Sequence, residues 1–301
     1  DGVALEDRDS ATRRWKIRKI GPARPLRIGV IALPHMANFT DFDALALEPA
    51  VSLTYLDRPS EIAAADLLIL PGTKQTLDDL GWLEHRGFVQ ELRRLNGIGV
   101  PIIGICGGFQ MLGVSIEDPQ GIENQGEPAS RTGLGLIPVR TILRREKTVR
   151  RVQGTLRRDF FGGGVPPKSS FEGYEIHVGE TFYEPGSRPL ADIVRQGIPG
   201  SVPDGVVSAS GRVLGTYVHG FFDNDDFRHS FIRAARAAVD LAPEAVWAHV
   251  AAEREAHIDR LALHLRKSLD INLIKSWIVD PAVKGRRITT AKPGTEATSH
   301  E

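Results

Sequence analysis

"VPIIGICGGFQMLG" (residues 100–113) starts as a short apolar run, reaches Cys106, and passes through two glycines into a second apolar segment. Cys106 is the only cysteine in 301 residues. An apolar run of strand length that meets a glycine turn and then resumes reads as strand, turn, helix. A residue at such a turn is lifted above the carboxyl edge of its sheet, and the tight turn demands small neighbours, here Gly104, Gly107 and Gly108. The N–H groups opening the helix favour negative charge and can hold an oxyanion. The alternative is a buried structural cysteine, since cysteine is among the most buried residue types.

The flanking sequence repeats the same alternation. "LRIGVIALP" (26–34), "VSLTYLD" (51–57), "AADLLILPGT" (64–73) and "PIIGIC" (101–106) read as strands, and residues 81–99 and 107–117 as helices. Alternating strands and helices predict an α/β fold with a central, mostly parallel sheet flanked by helices. Continuous apolar strand cores fit burial on both faces. Beyond residue 130 the segments 133–143, 148–156, 171–183 and 205–220 are more alternating and rich in glycine turns, and read as mixed strands added to that sheet. Helices are expected over 225–241 and most of 243–279, and disorder over 280–301.

Lys plus Arg and Asp plus Glu are both 38, so the net charge is zero. That gives no electrostatic reason to expect nucleic acid or an anionic membrane as partner. One cysteine excludes an intrachain disulfide framework and a multi-cysteine zinc site. No run of about 18 apolar residues occurs, and the charged N-terminus does not read as a signal peptide. The expectation is a soluble cytoplasmic protein.

A nucleophilic cysteine needs a base and usually an oxyanion hole. "GRVLGTYVHG" (211–220) puts His219 at the carboxyl end of an apolar run, on the edge where Cys106 is expected. "LLILPGT" puts Gly72 at the end of another strand on that edge. The Gly72 and Gly107 amides are the candidate oxyanion donors.

"ILPGT" (69–73), "GICGGFQMLG" (104–113) and "GTYVHGFFDND" (215–225) together resemble the signatures of class I, triad-type glutamine amidotransferase domains, which have a flavodoxin-like fold. "LPHMANFTDFDAL" (33–45), "FEGYEIHVGET" (171–181) and "REAHIDRLALHLRKSLD" (254–270) are similar to the cobyric acid/cobyrinic acid diamide synthase family of the cobalamin pathway, and to its cobyric acid-forming branch in particular. The resemblance covers roughly residues 1–270. It implies that Cys106 attacks glutamine, that His219 shuttles the proton, and that a thioester is hydrolysed to glutamate. The ammonia released would serve ATP-dependent amidation of the b, d, e and g carboxylates of adenosylcobyrinic acid a,c-diamide. Alternatives are the glutaminase of cobyrinic acid a,c-diamide synthase or of a cell-wall amidating ligase, a non-catalytic module of the same fold, and a cysteine hydrolase on a similar sheet.

Two departures from the pattern matter. Most class I domains carry a Glu two residues after the histidine, where this chain has Phe221. That leaves a Cys–His dyad, with Asp223, Asp225 and Glu175 as candidate orienting acids and a slow intrinsic glutaminase rate expected. There is also no phosphate loop of the type G-x-x-x-x-G-K-[ST]. The expectation is therefore a glutaminase half, with 1–25 a linker from an absent N-terminal amidoligase domain, 26–241 the amidotransferase domain and 242–279 a helical extension. No cofactor is expected in this chain; ATP and Mg2+ belong to the ligase, acting in cis or in trans.

Glu175 and His177 alternate along a strand and point to one face, either as a satisfied buried pair or as part of the site. The loop holding His35 is expected to contact glutamine or the ligase domain, or simply to start a helix with Thr40 or Asp41 as N-cap. His85, His229, His249, His257 and His264 lie in helical segments, and no metal site is expected. The Arg-rich stretch 144–159 reads as a solvated strand edge or a contact for an anionic ligand or the ligase. The helical segment 243–270 would dock the missing domain or cover the sheet.

Overall fold

Four apolar runs pair in parallel, and the inner ones are buried on both faces. They are β1 (Leu26–Ile31), β2 (Val51–Leu56), β3 (Leu67–Leu70) and β4 (Ile102–Ile105). The structure, a computed structural model, describes residues 24–162, 168–243 and 246–279. The expected linker, apart from Arg24 and Pro25, and the expected disordered tail lie outside those residues. β3 and β4 are buried throughout, while β2 is half-exposed, as an edge strand is.

The later strands are β5 (Ser115–Asp118), β6 (Ala129–Thr132), β7 (Val139–Leu156), β8 (Ser170–Tyr183), β9 (Ala191–Arg195), β10 (Val202–Asp204), β11 (Val206–Val207), β12 (Val213–Thr216) and β13 (Val218–His219). β12 joins the main sheet in parallel beside β4, and β11 closes its edge antiparallel, giving the order β11-β12-β4-β3-β1-β2. The five parallel strands have the flavodoxin-like order. The other late strands do not extend this sheet. They form a second one, β10-β9-β7-β5-β6, with β8 paired to β7 and to β13. After Tyr217 the chain leaves the main sheet, and β13 pairs with β8 through His219 opposite Tyr174. Both sheets therefore meet at the histidine.

The segments 133–143 and 148–156, expected as separate strands, belong largely to the 18-residue β7. Ile142 pairs with Glu180 and Lys147 with Val178, so residues 143–146 stand against Gly179 alone. Gly179 accommodates this bulge with φ +99°.

The helices are α1 (Asp43–Ala46), α2 (Pro59–Ile62), α3 (Thr76–Arg86), α4 (Phe88–Gly97), α5 (Gly107–Leu112) and α6 (Asp225–Ala238). The single helix expected over 81–99 is two, α3 and α4, separated by Gly87 in the left-handed region. The helix expected over 107–117 ends at Leu112, and residues 115–118 pair as β5.

By its contacts the chain forms two units, divided between Ala251 and Ala252. α7 (Val250–Ser268) crosses this boundary, and α8 (Ile271–Val279) lies in the second unit. There the Asp270 side chain accepts the Leu273 N–H at 2.9 Å, as an N-cap. Among the described residues no helix is long and apolar enough to cross a membrane.

In the first unit, α6 is held by the fully buried Arg228. Its guanidinium donates to Glu48 at 2.6 Å, to Asp225 at 2.8 Å, and to the carbonyl oxygens of Phe222 and Ala248. Removing one partner of a buried ion pair leaves the other charge without compensation. Arg228→Ala is expected to cost about 3–5 kcal/mol, read as a lower urea midpoint with an unchanged slope.

Candidate active site

The turn after β4 holds Cys106 at φ 53° and ψ −111°, a strained conformation for a residue with a Cβ. The glycines around it are required by contact. A Cβ at Gly108 would lie 2.0 Å from the Leu70 carbonyl oxygen, and one at Gly104 2.5 Å from the Gly108 carbonyl oxygen. The Cys106 N–H donates to the Thr216 carbonyl at 2.8 Å, which fixes the turn to β12. The thiol lies 3.6 Å from the Ile176 carbonyl of β8. It lines a cavity of about 270 Å³ together with Asn38, Gly72, Gln110, Glu123 and Lys147.

His219 is fully buried. A Cβ at Gly72 would lie 3.1 Å from His219 Cε1 and 3.6 Å from Cys106 Cβ, so this glycine is wedged beside both side chains. A Cβ at Gly107 would lie 2.5 Å from Thr73 Cγ2. The two backbone segments singled out as oxyanion donors therefore touch one another next to the thiol. Tyr174 stacks on the imidazole, with ring centroids 5.3 Å apart. Asn38, itself left-handed at φ 54°, places Nδ2 at 3.1 and 3.2 Å from the two ring nitrogens.

The hydrogen-bonded carboxylate at the imidazole is Asp41, with Oδ2 2.6 Å from His219 Nδ1. Its Oδ1 accepts the Gly220 N–H at 3.1 Å. Asp41 is not an N-cap. The short 3-10 turn Phe39–Phe42 starts at Asn38, and the carboxylate is turned inward, 3 % exposed. Burial disfavours the charged imidazole, but hydrogen bonds to Asp41 and Cys106, and the charges of both, outweigh it and raise His219 to about 9.

The orienting acids expected from the sequence have other settings. Glu175 forms a two-pronged pair with Arg195 at 2.6 and 2.9 Å. Burial pushes its carboxyl up, yet Arg195 and His177 hold it at about 2. Asp225 binds Arg228. Asp223 lies in the turn directly after the histidine and acts electrostatically on Tyr174. His177 lines the Cys106 cavity, stacks on Tyr217 with centroids 3.8 Å apart, and stands 3.6 Å from Glu175. His35 is half-exposed and bound to Asp79 at 2.8 Å, bracing the loop that carries Asn38 and Asp41. Asp41 and Tyr174 were missed because their meeting with His219 depends on tertiary pairing, although both lie in segments that carry the resemblance.

Residues 27–227 match the family model for the CobB/CobQ-like glutamine amidotransferase domain. The chain is 39 % identical over 277 residues to the cobyric acid synthase of Salmonella arizonae, covering 90 % of this chain and 53 % of that protein. It is 36 % identical over 284 residues to the cobyric acid synthase of Syntrophobacter fumaroxidans, covering 92 % and 55 %. The chain thus spans about half the length of these relatives. Among solved structures it is similar to PurLQS from Thermotoga maritima, with a TM-score of 0.54 at 19 % identity, covering 72 % of this chain and 99 % of that one. A glutamine amidotransferase structure matches with a TM-score of 0.50 at 20 % identity, covering 70 % and 98 %. At such identities the structures establish the fold alone.

The raised imidazole has a consequence for stability. A group whose value is raised on folding contributes fully below its unfolded value of about 6.5, and the contribution is lost as the pH rises through about 9. The stability gap between wild type and His219→Asn is therefore expected to be larger at pH 6 than at pH 10 in urea titrations; an equal gap at both would contradict the ion-paired histidine.

Proposed function

The chain belongs to the family of CobB/CobQ-like glutamine amidotransferase domains, and from that premise we propose that it hydrolyses glutamine through a Cys106 thioester and supplies ammonia to an ATP-dependent amidoligase. The observation that carries this reading is the strained Cys106 separated only by Gly72 from the buried, Asp41-bound His219. The Cys106 thiolate attacks Cδ of glutamine, and the amides of Gly72 and Gly107 hold the oxyanion. As the tetrahedral intermediate collapses, His219 gives its proton to the departing nitrogen and ammonia leaves. His219 then takes a proton from water, which attacks the thioester. The tetrahedral intermediate expels the thiolate, glutamate leaves with its γ-carboxyl proton released to solvent, and thiolate and imidazolium are restored.

The cavity also suits the ends of a free amino acid. Lys74 and Lys147 on its wall offer cations for the α-carboxylate. Glu123 offers an anion for the α-ammonium. Burial pushes the Glu123 carboxyl above its usual range despite hydrogen bonds from Thr76 and Leu77, so a cationic partner would stabilise its charged form.

The similarity to cobyric acid synthases supports cobalamin biosynthesis as the setting and adenosylcobyrinic acid a,c-diamide as the acceptor, amidated at b, d, e and g. The acceptor, ATP and Mg2+ would be bound by the amidoligase half, in cis or in trans, and the reaction would take place in the cytoplasm.

Incubation with a glutamine-mimicking diazoketone, followed by peptide mass spectrometry, tests the glutaminase reading. One adduct per chain is expected on Cys106, prevented by excess glutamine. Cys106→Ser is expected to lower glutamine turnover by more than about a thousandfold. Folded protein that neither labels at Cys106 nor turns over glutamine would overturn the reading.

A further inference from the structure

Resting on that reading, we propose that Asp41 is the positioning residue of His219, taking from the β1–β2 connection the role that the residue two places after the histidine cannot fill. That residue, Phe221, is buried and packs against Phe171, Phe222 and Phe227. A carboxylate there would have to displace part of an aromatic core.

Asp41 grips the histidine at two points. Oδ2 binds the ring at Nδ1, and Oδ1 binds the backbone N–H of the next residue. The ring cannot rotate about its Cβ without breaking the first bond, nor the backbone shift without breaking the second. With Nδ1 held by the Asp41 carboxylate, Nε2, beside the neutral Asn38 amide, is the nitrogen that would exchange the proton with the thiol and the departing ammonia. Tyr174 stacked on the ring further limits its tilt.

A purely structural carboxylate would be expected to find an arginine or lysine. Among the described ion pairs, the partner of Asp41 is His219. Burying a carboxylate against a neutral ring is costly, so the pair favours a protonated imidazole in the resting site. The titratable groups facing the ring are Asp41 itself, Cys106 after β4 and Tyr174 of β8, with Asp223 in the turn after His219 acting on Tyr174. Asn38 is neutral. Of the two acids, Asp41 has the hydrogen bond to the ring.

On this proposal the orienting acid is Asp41 in place of the candidates Asp223, Asp225 and Glu175, and a slow intrinsic rate no longer follows from Phe221.

The test uses this chain with Asp41→Asn and Asp41→Glu, with the fold of each checked by urea denaturation. Imidazole titration by NMR and glutamine kinetics are the readouts. In wild type, His219 is expected to titrate near 9. Asp41→Asn is expected to move this at least tenfold in proton concentration toward the ordinary value, and to lower kcat by about 10²–10⁴-fold with KM changed by less than about threefold. Asp41→Glu should recover part of both. A folded Asp41→Asn chain with wild-type titration and kcat would sink the proposal. If Asp41→Asn does not fold, wild type decides: a slowly exchanging, downfield Nδ1–H resonance supports the pair, and a His219 titrating near 6.5 refutes it. If wild type neither labels at Cys106 nor hydrolyses glutamine, the glutaminase reading fails, while the NMR titration still decides whether Asp41 sets the state of His219.

Discussion

A helix laid directly on the backbone of a strand, with no side chain between them, is the constraint from which the site follows. α5 begins so close to β3 that any side chain at Gly108 would overlap the Leu70 carbonyl. That approach forces the turn at Cys106 to be sharp, and the cysteine takes up the strain in a backbone region that such residues seldom occupy. The strain is held because both flanks are pinned, by the β4 ladder on one side and the Cys106 N–H bond to β12 on the other. The thiol then stands where β3 ends in Gly72 and where the chain continues from β12 toward His219.

Much of the scaffold was legible because burial on both faces leaves a simple trace. The cores of β1, β3 and β4 are apolar runs bounded by glycine or proline, and the lone cysteine among glycines marks its own turn. Legibility fails where a three-dimensional partner overrides a local pattern. The charged stretch within 143–146 looks like a break between strands, yet β7 passes through it as a bulge because Gly179 yields on the opposite strand. The strands after residue 130 carry alternation but no sign of which sheet they join. Gly87 sits inside a continuous helical period and still ends one helix and starts the next. Asp41 carries an acid typical of helix starts, and nothing in its spacing points to a histidine 178 residues away.

Charge is distributed around the site in compensated pairs, and this sorts the roles of similar residues. Glu175 is as buried as Asp41, but its partner is a guanidinium that holds a fixed charge at every relevant pH. It braces β8 against β9, with His177 standing 3.6 Å away as a second partner. Asp204 is fully enclosed, and burial raises it to about 6 despite bonds from Thr216 and Tyr217 and the charge of His177. Asp41 differs from both in facing a base whose proton must move in the proposed chemistry. A buried carboxyl group thus braces a strand, has its titration moved up toward neutral pH, or steers an imidazole, according to which partner the fold supplies.

The separation of Asp41 from His219 also has a consequence in time. A chain is made from its N-terminus, at about 5–20 residues per second. The acid, the Gly72 loop and the cysteine all leave the ribosome before the histidine, which trails the acid by roughly 10–40 s at that pace. From its own emergence until then, the thiol has neither His219 beside it nor the β13 pairing that joins the two sheets around it. The ensemble around Cys106 is therefore completed late, with only α6 of the first unit's larger helices still to follow.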